Sequence, residues 1–254
     1  MAQSDGSTVK SARTTFSILE FLRDNGPAGV TEVSEHVGMS KGAVHRYLST
    51  LTELGYAEKR ETKYQIGLQF ILFGSEAKNR ESVYRLVKPK IRELAEETGE
   101  RAQFISEGNG LGVYIHIESG ENAVHTDTRE GKAIHLPTSS AGKAILAFSS
   151  TAWVDDVLDK HGFRQLTPET VTSRDRLFEE LAEIRERGYA VNREEHVRGM
   201  WGAGVPVRGS SGEVLGAISV GGPTHRMKPQ ILNGEMPNRI LGVVNEIELN
   251  VRYA

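Results

Sequence analysis

Ser140-Ala141-Gly142-Lys143 is a spacing that could do chemistry. A serine three residues ahead of a lysine is the arrangement of serine acyl-transferases, in which the amine takes the hydroxyl proton and frees a nucleophile. Four residues are a weak signal, and neither Ser-Asp-Asn nor Lys-Thr-Gly occurs to complete it. Ala217-Ile218-Ser219-Val220-Gly221 falls one glycine short of a nucleophile elbow and has no evident oxyanion loop behind it. Glu194 and Glu195, followed by His196, raise the idea of an acid–base or metal pair. Adjacent residues on a strand face opposite ways, however, so these two carboxylates should not converge. His135, His196 and His225 could meet in space, but the eight histidines show no H-E-x-x-H spacing. The chain has no cysteine, which excludes disulfides, thiolate zinc sites, iron–sulfur clusters and a cysteine nucleophile. No cofactor is implied.

A second kind of chemistry is anion capture. Ser139–Phe148 reads as a helix, and the free backbone N–H groups at its start, with the helix dipole behind them, suit a carboxylate or phosphate. The plainer alternative is that Ser139 is only an N-cap. A third kind needs Lys41, Gly42, His45, Arg46 and Ser49. On a helix running Lys41–Leu54 and capped by Ser40, these share the face opposite Val44, Tyr47, Leu48, Leu51 and Leu54. Such a face offers a phosphate-reaching cation, a point of close backbone approach and side chains for base edges.

The elements needed to position these residues are legible around them. Ser11–Asp24 is an amphipathic helix with Ala12, Phe16, Leu19 and Leu22 at near-helical spacing, and Asn25-Gly26-Pro27 stops it. Thr31 is placed to cap a short helix Glu32–Val37 that Gly38 ends, and Lys41–Leu54 follows, closed by Gly55. Tyr56–Arg60 and Lys63–Leu68 are strand-like runs around Glu61-Thr62. Together these predict a winged helix-turn-helix over residues 1–68 with Lys59 and Lys63 on the wing. That segment carries eight Lys/Arg and eight Asp/Glu, so any DNA contact rests on layout, not on bulk charge.

Residues 69–79 form a linker helix whose apolar run Phe70–Phe73 predicts packing against a second subunit. Beyond it, Ser82–Glu97 is a helix capped by Ser82. Ala102–Ser106, Leu111–Ile117 and Ala123–Thr128 read as antiparallel strands. Helices Ser139–Phe148, Trp153–Lys160 and Ser173–Arg187 come next, then strands Gly188–Val191, Gly202–Val207 and Val214–Val220 and a closing helix Asn238–Val251. Strands and helices without a βαβ repeat make residues 80–254 an α+β domain on one antiparallel sheet.

Composition agrees with a folded chain. Of 254 residues, 38% are hydrophobic and 26% charged, and the net charge of −3 argues against a general polyanion binder. No apolar run is long enough to span a membrane, and the polar stretch Met1–Ala12 lacks a signal core, so a cytoplasmic protein is expected.

Over essentially its whole length the chain resembles the IclR family of transcriptional regulators. The pieces that carry the resemblance are Val37-Gly38-Met39-Ser40-Lys41, Val44-His45-Arg46 with Leu51, and Tyr64-Gln65-Ile66-Gly67. Further along they are Leu136-Pro137 before Ser139-Ser140-Ala141-Gly142-Lys143-Ala144-Ile145-Leu146-Ala147, then Leu166-Thr167-Pro168 with Thr170, and Ile184-Arg185 with Gly188-Tyr189-Ala190. The last are Glu194-Glu195 with Gly199 and Pro206, and Ala217-Ile218-Ser219-Val220-Gly221-Gly222-Pro223. The resemblance implies a winged-helix DNA-binding domain, a linker helix and a GAF-like effector domain, assembled as dimers or dimers of dimers on a pseudo-palindromic duplex operator. It implies no enzymatic activity. It also implies an effector pocket between the sheet and the Ser139 helix start, lined by Ser140, Ala141, Asn192, Met200, Gly202, Ser219 and Gly221. Gly202 stands where the family usually has a cysteine and Gly221 where it often has a serine, so the pocket is expected to be roomier than typical. A small organic acid follows as the expected effector, a sugar acid or aromatic acid ahead of a two-carbon acid. The competing reading is a metabolite-binding protein or serine acyl-hydrolase with a structural N-terminal module.

Overall fold

A computed structural model describes residues 8–253; Met1–Ser7, the first part of the polar stretch read above, and Ala254 lie outside the described residues. The chain divides into two units between Ala77 and Lys78.

The first unit runs α1 (Lys10–Asn25), β1 (Ala28–Gly29), α2 (Val30–Val37), α3 (Lys41–Glu53), β2 (Ala57–Arg60), β3 (Lys63–Ile66) and most of α4 (Gln69–Asn79). Its core joins Ile18 and Leu22 of α1, Val33 of α2, Val44, Leu48 and Leu51 of α3 and Tyr64 of β3. Gly38 takes a left-handed conformation (φ 65°) that ends α2 and turns the chain into α3, a backbone shape L side chains rarely adopt. Four details differ from the sequence reading. Ala28–Gly29 adds a third strand, paired antiparallel with β3. Thr31 lies inside α2, not at its cap; Gly29 precedes the helix, and its N–H donates to Glu32 Oε2 at 2.7 Å. Phe16 and Leu54 are exposed, Phe16 within α1, whose buried side is Ile18, Leu19 and Leu22, and Leu54 just past the end of α3. Phe70 is partly buried in this core, with its ring centroid 5.2 Å from Tyr56.

The second unit is built on α5 (Ser82–Thr98), β4 (Arg101–Gly108), β5 (Leu111–Ser119), β6 (Ala133–Ile134), α6 (Ser140–Ala147), α7 (Thr151–His161), α8 (Arg174–Arg187), β7 (Ala190–Arg193), β8 (Met200–Arg208), β9 (Val214–Pro223) and α9 (Met236–Tyr253). The strands form one antiparallel sheet in the order β6-β5-β4-β9-β8-β7. Successive side chains point to opposite faces: Phe104 and Ile218 pack under α5 and α9, while their neighbours Ile105 and Ala217 pack under α6, α7 and α8. The result is three layers with the sheet in the middle. Two of the expected features are absent. Residues 123–128 form a loop, since their hydroxyls and carbonyls bond to a side chain (below) and not to a strand edge, and the strand beside β5 is the later β6. Ser82 is the first helical residue, preceded by Glu81 without a side-chain cap.

Close backbone contact fixes the start of α6. A Cβ on Gly142 would lie 2.1 Å from the Leu136 carbonyl oxygen, and one on Gly204 of β8 would lie 2.6 Å from the Ser140 carbonyl carbon. The helix start therefore rests directly on the sheet.

Candidate functional site

In the second unit, Ser140 at the start of α6, Asn192 on β7, Met200 and Gly202 on β8, and Ser219 and Gly221 on β9 all line one cavity of about 80 Å³. Register explains the convergence: Asn192 pairs with Gly202, and Gly202 with Gly221. Ala141 is the one expected lining residue that lies elsewhere; its side chain is fully buried between α6 and the sheet core. Met200 and Trp201 stand in its wall beside Gly202 and Gly221. For scale, an apolar cavity of about 150 Å³ takes up benzene.

Hydrogen bonds narrow what the lining can offer. Asn192 Nδ2 donates to the Thr138 carbonyl at 2.8 Å, which leaves its amide oxygen as an acceptor. Gln103 Nε2 donates to Ser219 Oγ at 3.1 Å, so the Ser219 hydroxyl keeps its proton for another acceptor. At the helix start, Ser139 Oγ accepts from Gly142 N at 3.0 Å, so the cap is real and takes one of the donors a ligand could use. His196 reaches Thr138 Oγ1 at 3.3 Å, and burial, with Lys132 nearby, lowers its pKa.

The residue the sequence reading missed is Arg101. It begins β4, lines the cavity and is only 9% exposed. Its Nη1 donates to Thr126 Oγ1 and to Thr128 Oγ1 (3.3 Å), and its Nη2 donates to the Val124 carbonyl. Among the described residues no carboxylate pairs with it, and desolvation lowers its pKa. Tyr114, on the cavity wall beside it, is pushed up to about 12, chiefly by burial. Two residues apart on β4, Arg101 and Gln103 present one polar face of a strand, and that period-two signal was available in the sequence.

The catalytic arrangements do not assemble. Lys143 is buried and donates to Glu180 Oε1 (2.6 Å) and to both carboxylate oxygens of Glu195 (2.8 and 2.6 Å), which commits all three of its protons away from Ser140. Glu194 and Glu195 lie beyond the end of β7 and diverge: Glu194, at φ 65°, accepts from Gly199 N, while Glu195 turns inward to Lys143. No three His, Asp or Glu among the described residues gather as metal ligands, and of His135, His196 and His225 only His196 reaches the cavity.

In the first unit, Lys41, Gly42, His45, Arg46 and Ser49 form the exposed face of α3, as the helical spacing requires. Ser40 caps that helix through Ala43 N (3.3 Å), and space is open above Gly42. His45 Nδ1 and Ser49 Oγ stand 3.4 Å apart. Lys59 and Lys63 are exposed on the two paired wing strands, with Lys59 Nζ 5.6 Å from the Tyr64 ring centre.

Residues 76–242 match the family model of the bacterial transcriptional regulator IclR C-terminal domain, and residues 11–61 match that of the IclR helix-turn-helix domain. The chain belongs to the IclR family. Its IclR-family relatives include the transcriptional regulator KdgR of Escherichia coli, 30% identical over 89% of this chain and 86% of that protein. The solved IclR of Thermotoga maritima shares the fold at a TM-score of 0.79 with 28% identity, covering 95% of this chain and 98% of that one. An IclR homolog from Microbacterium hydrocarbonoxydans complexed with 4-hydroxybenzoate superposes at a TM-score of 0.80 with 20% identity, over 96% and 99% of the two chains. Members of this IclR group are transcriptional regulators and not enzymes, which sets aside the acyl-hydrolase reading. No helix among the described residues is long and apolar enough to cross a membrane.

Proposed function

We propose that this IclR-family regulator controls a metabolic operon by sensing a small organic acid in the Arg101–Ser219 cavity. In this reading residues 1–68 bind DNA, 69–79 link, and 80–254 bind the effector. The observation that carries it is a buried guanidinium, lining a cavity with neutral hydrogen-bonding groups, whose charge is met only by neutral oxygens. A carboxylate forms bidentate, charge-assisted hydrogen bonds with guanidinium, roughly twice as strong as neutral ones. Asn192 and Ser219 then serve hydroxyls on the acid. The 4-hydroxybenzoate bound by the Microbacterium homolog is an acid of this class. An acid larger than a few heavy atoms needs a cavity wall to move.

DNA binding in this reading uses two copies of α3 on a pseudo-palindromic duplex, in dimers or dimers of dimers, since one winged helix with few cations neutralises few phosphates. Ser40, Lys41, Gly42, His45, Arg46 and Ser49 face the groove, and Lys59 and Lys63 reach the backbone. The test couples the two ends. A thermal-shift screen of carboxylic acids against their neutral amides on the full chain should return acids only, because a ligand bound by the native state raises apparent stability. An acid that scores should change operator affinity in a fluorescence anisotropy titration. Arg46→Ala should cost about 1–3 kcal/mol on the operator and little on random DNA. Amides that stabilise as well as acids would defeat the carboxylate assignment.

A further inference from the structure

Arg101 does two things at once: it lines the cavity, and it holds the segment between β5 and β6 against it. The three acceptors on its guanidinium all belong to that segment, Val124 through its carbonyl and Thr126 and Thr128 through their hydroxyls, which also bond each other at 2.7 Å. Further along, Gly131 N donates to the Tyr114 carbonyl at 2.8 Å. Between these two attachments Glu130 reaches out to Lys78 Nζ at 2.6 Å. Lys78 lies in the last turn of α4, the helix that continues through Ala77 towards the DNA-binding residues. One short strap therefore grips the effector cavity at one end and the linker helix at the other.

We infer that the strap 121–132 is the transmission element, and that an effector carboxylate works it by exchanging places with Val124, Thr126 and Thr128 on Arg101. The inference rests on the effector reading above. Its physical basis is competition for donors. A guanidinium has five N–H groups in a fixed fork, and a carboxylate taking two of them in parallel displaces neutral acceptors from the same edge. Exchange costs the strap its inner attachment. The Glu130–Lys78 pair is more exposed, with side chains 44% and 36% accessible, and is worth little by itself, so its alignment depends on how the rest of the strap is held. His116 sits on the other side of Glu130, Nδ1 to Oε1 3.5 Å, but its Nε2 bonds the Tyr84 carbonyl at 2.6 Å, which ties the neutral ring to α5. Two arrangements follow, strap on Arg101 or carboxylate on Arg101, and a ligand that binds only the second shifts the population towards it. Space gives a second reason. Thr126 and Thr128 form part of the wall of the 80 Å³ cavity, so their departure enlarges the site for an acid the size of a benzoate.

Hydrogen-exchange mass spectrometry on the full-length protein tests the coupling, with acetate and 4-hydroxybenzoate as probes and chloride at equal ionic strength as control. Arg101→Gln should speed exchange severalfold in 121–132 and in 74–81 together, without any acid present. Glu130→Gln, a surface change, should speed 74–81 while leaving acid binding as in the wild type. A stabilising acid should reproduce the Arg101→Gln pattern in the wild type and add nothing in that variant. The inference is overturned if Arg101→Gln loosens 121–132 while 74–81 keeps its wild-type rate. It is overturned equally if an acid stabilises the wild type and moves operator affinity but leaves 121–132 unchanged, although the effector reading then stands. If neither acid stabilises the wild type, the effector reading falls and the carboxylate exchange falls with it.

Discussion

Lys143 and Glu195 meet inside the second unit, with the ammonium 2.6 and 2.8 Å from the two oxygens of one carboxylate and the lysine side chain wholly shut off from solvent. Desolvation raises the Glu195 pKa, and Lys143 opposes that shift. Glu195 is followed directly by His196 on the cavity wall, so this ion pair joins α6 to a segment that lines the cavity.

Removing one partner strands the others. Lys143→Met should cost about 3–5 kcal/mol, the usual penalty for an uncompensated buried charge, and adding Glu195→Gln to it should recover a large part. Both tryptophans, Trp153 and Trp201, lie in this unit, so urea unfolding followed by their fluorescence isolates its transition. A Lys143→Met loss below about 1 kcal/mol would remove the triad from the account of the fold.

Acidification should weaken the same unit. His116, His135 and His196 all have lowered pKa values, each chiefly through burial. A depressed histidine contributes stability that is present above its unfolded value near 6.5 and is lost as the pH falls through the folded value. Glu195, being raised, runs the other way, with stability greatest below 4.5 and lost as pH rises. The unfolding midpoint should therefore drop between about pH 7 and 5, and His196→Gln should flatten the curve. A midpoint that is level over that range, in wild type and variant alike, contradicts the burial argument.

Two glycines of β8 should behave differently. Gly204→Ala drives a Cβ to within 2.7 Å of Ala141 N and should destabilise by about 1–3 kcal/mol as α6 lifts from the sheet. At Gly202 a Cβ meets Val220 O at 3.0 Å and Ser140 Oγ at 3.5 Å, so Gly202→Leu directs its bulk into the cavity. Calorimetry should show that variant folded and unable to bind any acid the wild type binds.

Assembly should depend on Ile71 and Leu72 more than on Phe70. The two aliphatic side chains are 67% and 66% exposed, whereas Phe70 and Phe73 both approach Tyr56, with ring centroids 5.2 and 5.8 Å away. Ile71→Asp with Leu72→Asp should yield monomers by light scattering while the winged unit keeps its stability. Phe70→Asp should instead lower that stability. Wild-type protein that is monomeric at micromolar concentration disposes of the prediction.

Periodicity carried much of the fold into view. The α3 face from Lys41 to Ser49 and the apolar stripes of α5, α8 and α9 repeat every three to four residues, and such stripes survive folding because each helix buries one side. What the pattern hid depends on contacts distant in sequence. Ala28–Gly29 is too short to alternate and becomes a strand only because β3 lies beside it. Residues 123–128 alternate like a strand, yet their partners are the guanidinium of Arg101 and not a neighbouring backbone. Arg101 shares a strand face with Gln103, but that the face meets a cavity follows from the pairing of β4 with β9, which sets Arg101 opposite Gly221 and Gln103 opposite Ser219. Six of the cavity residues, Ser140, Asn192, Met200, Gly202, Ser219 and Gly221, were foreseen through family resemblance, while its cation was not.

The position of β9 has a consequence for timing. It sits in the middle of the sheet, between β4 and β8, and its Gly221 pairs with Arg101 far upstream. The first unit, by contrast, completes its own sheet at Ile66. A ribosome releases the chain from the N-terminus, and domains form as units in that order. The winged unit can thus be finished while the second unit still lacks its central strand, and a growing chain has its α3 face folded before its cavity exists.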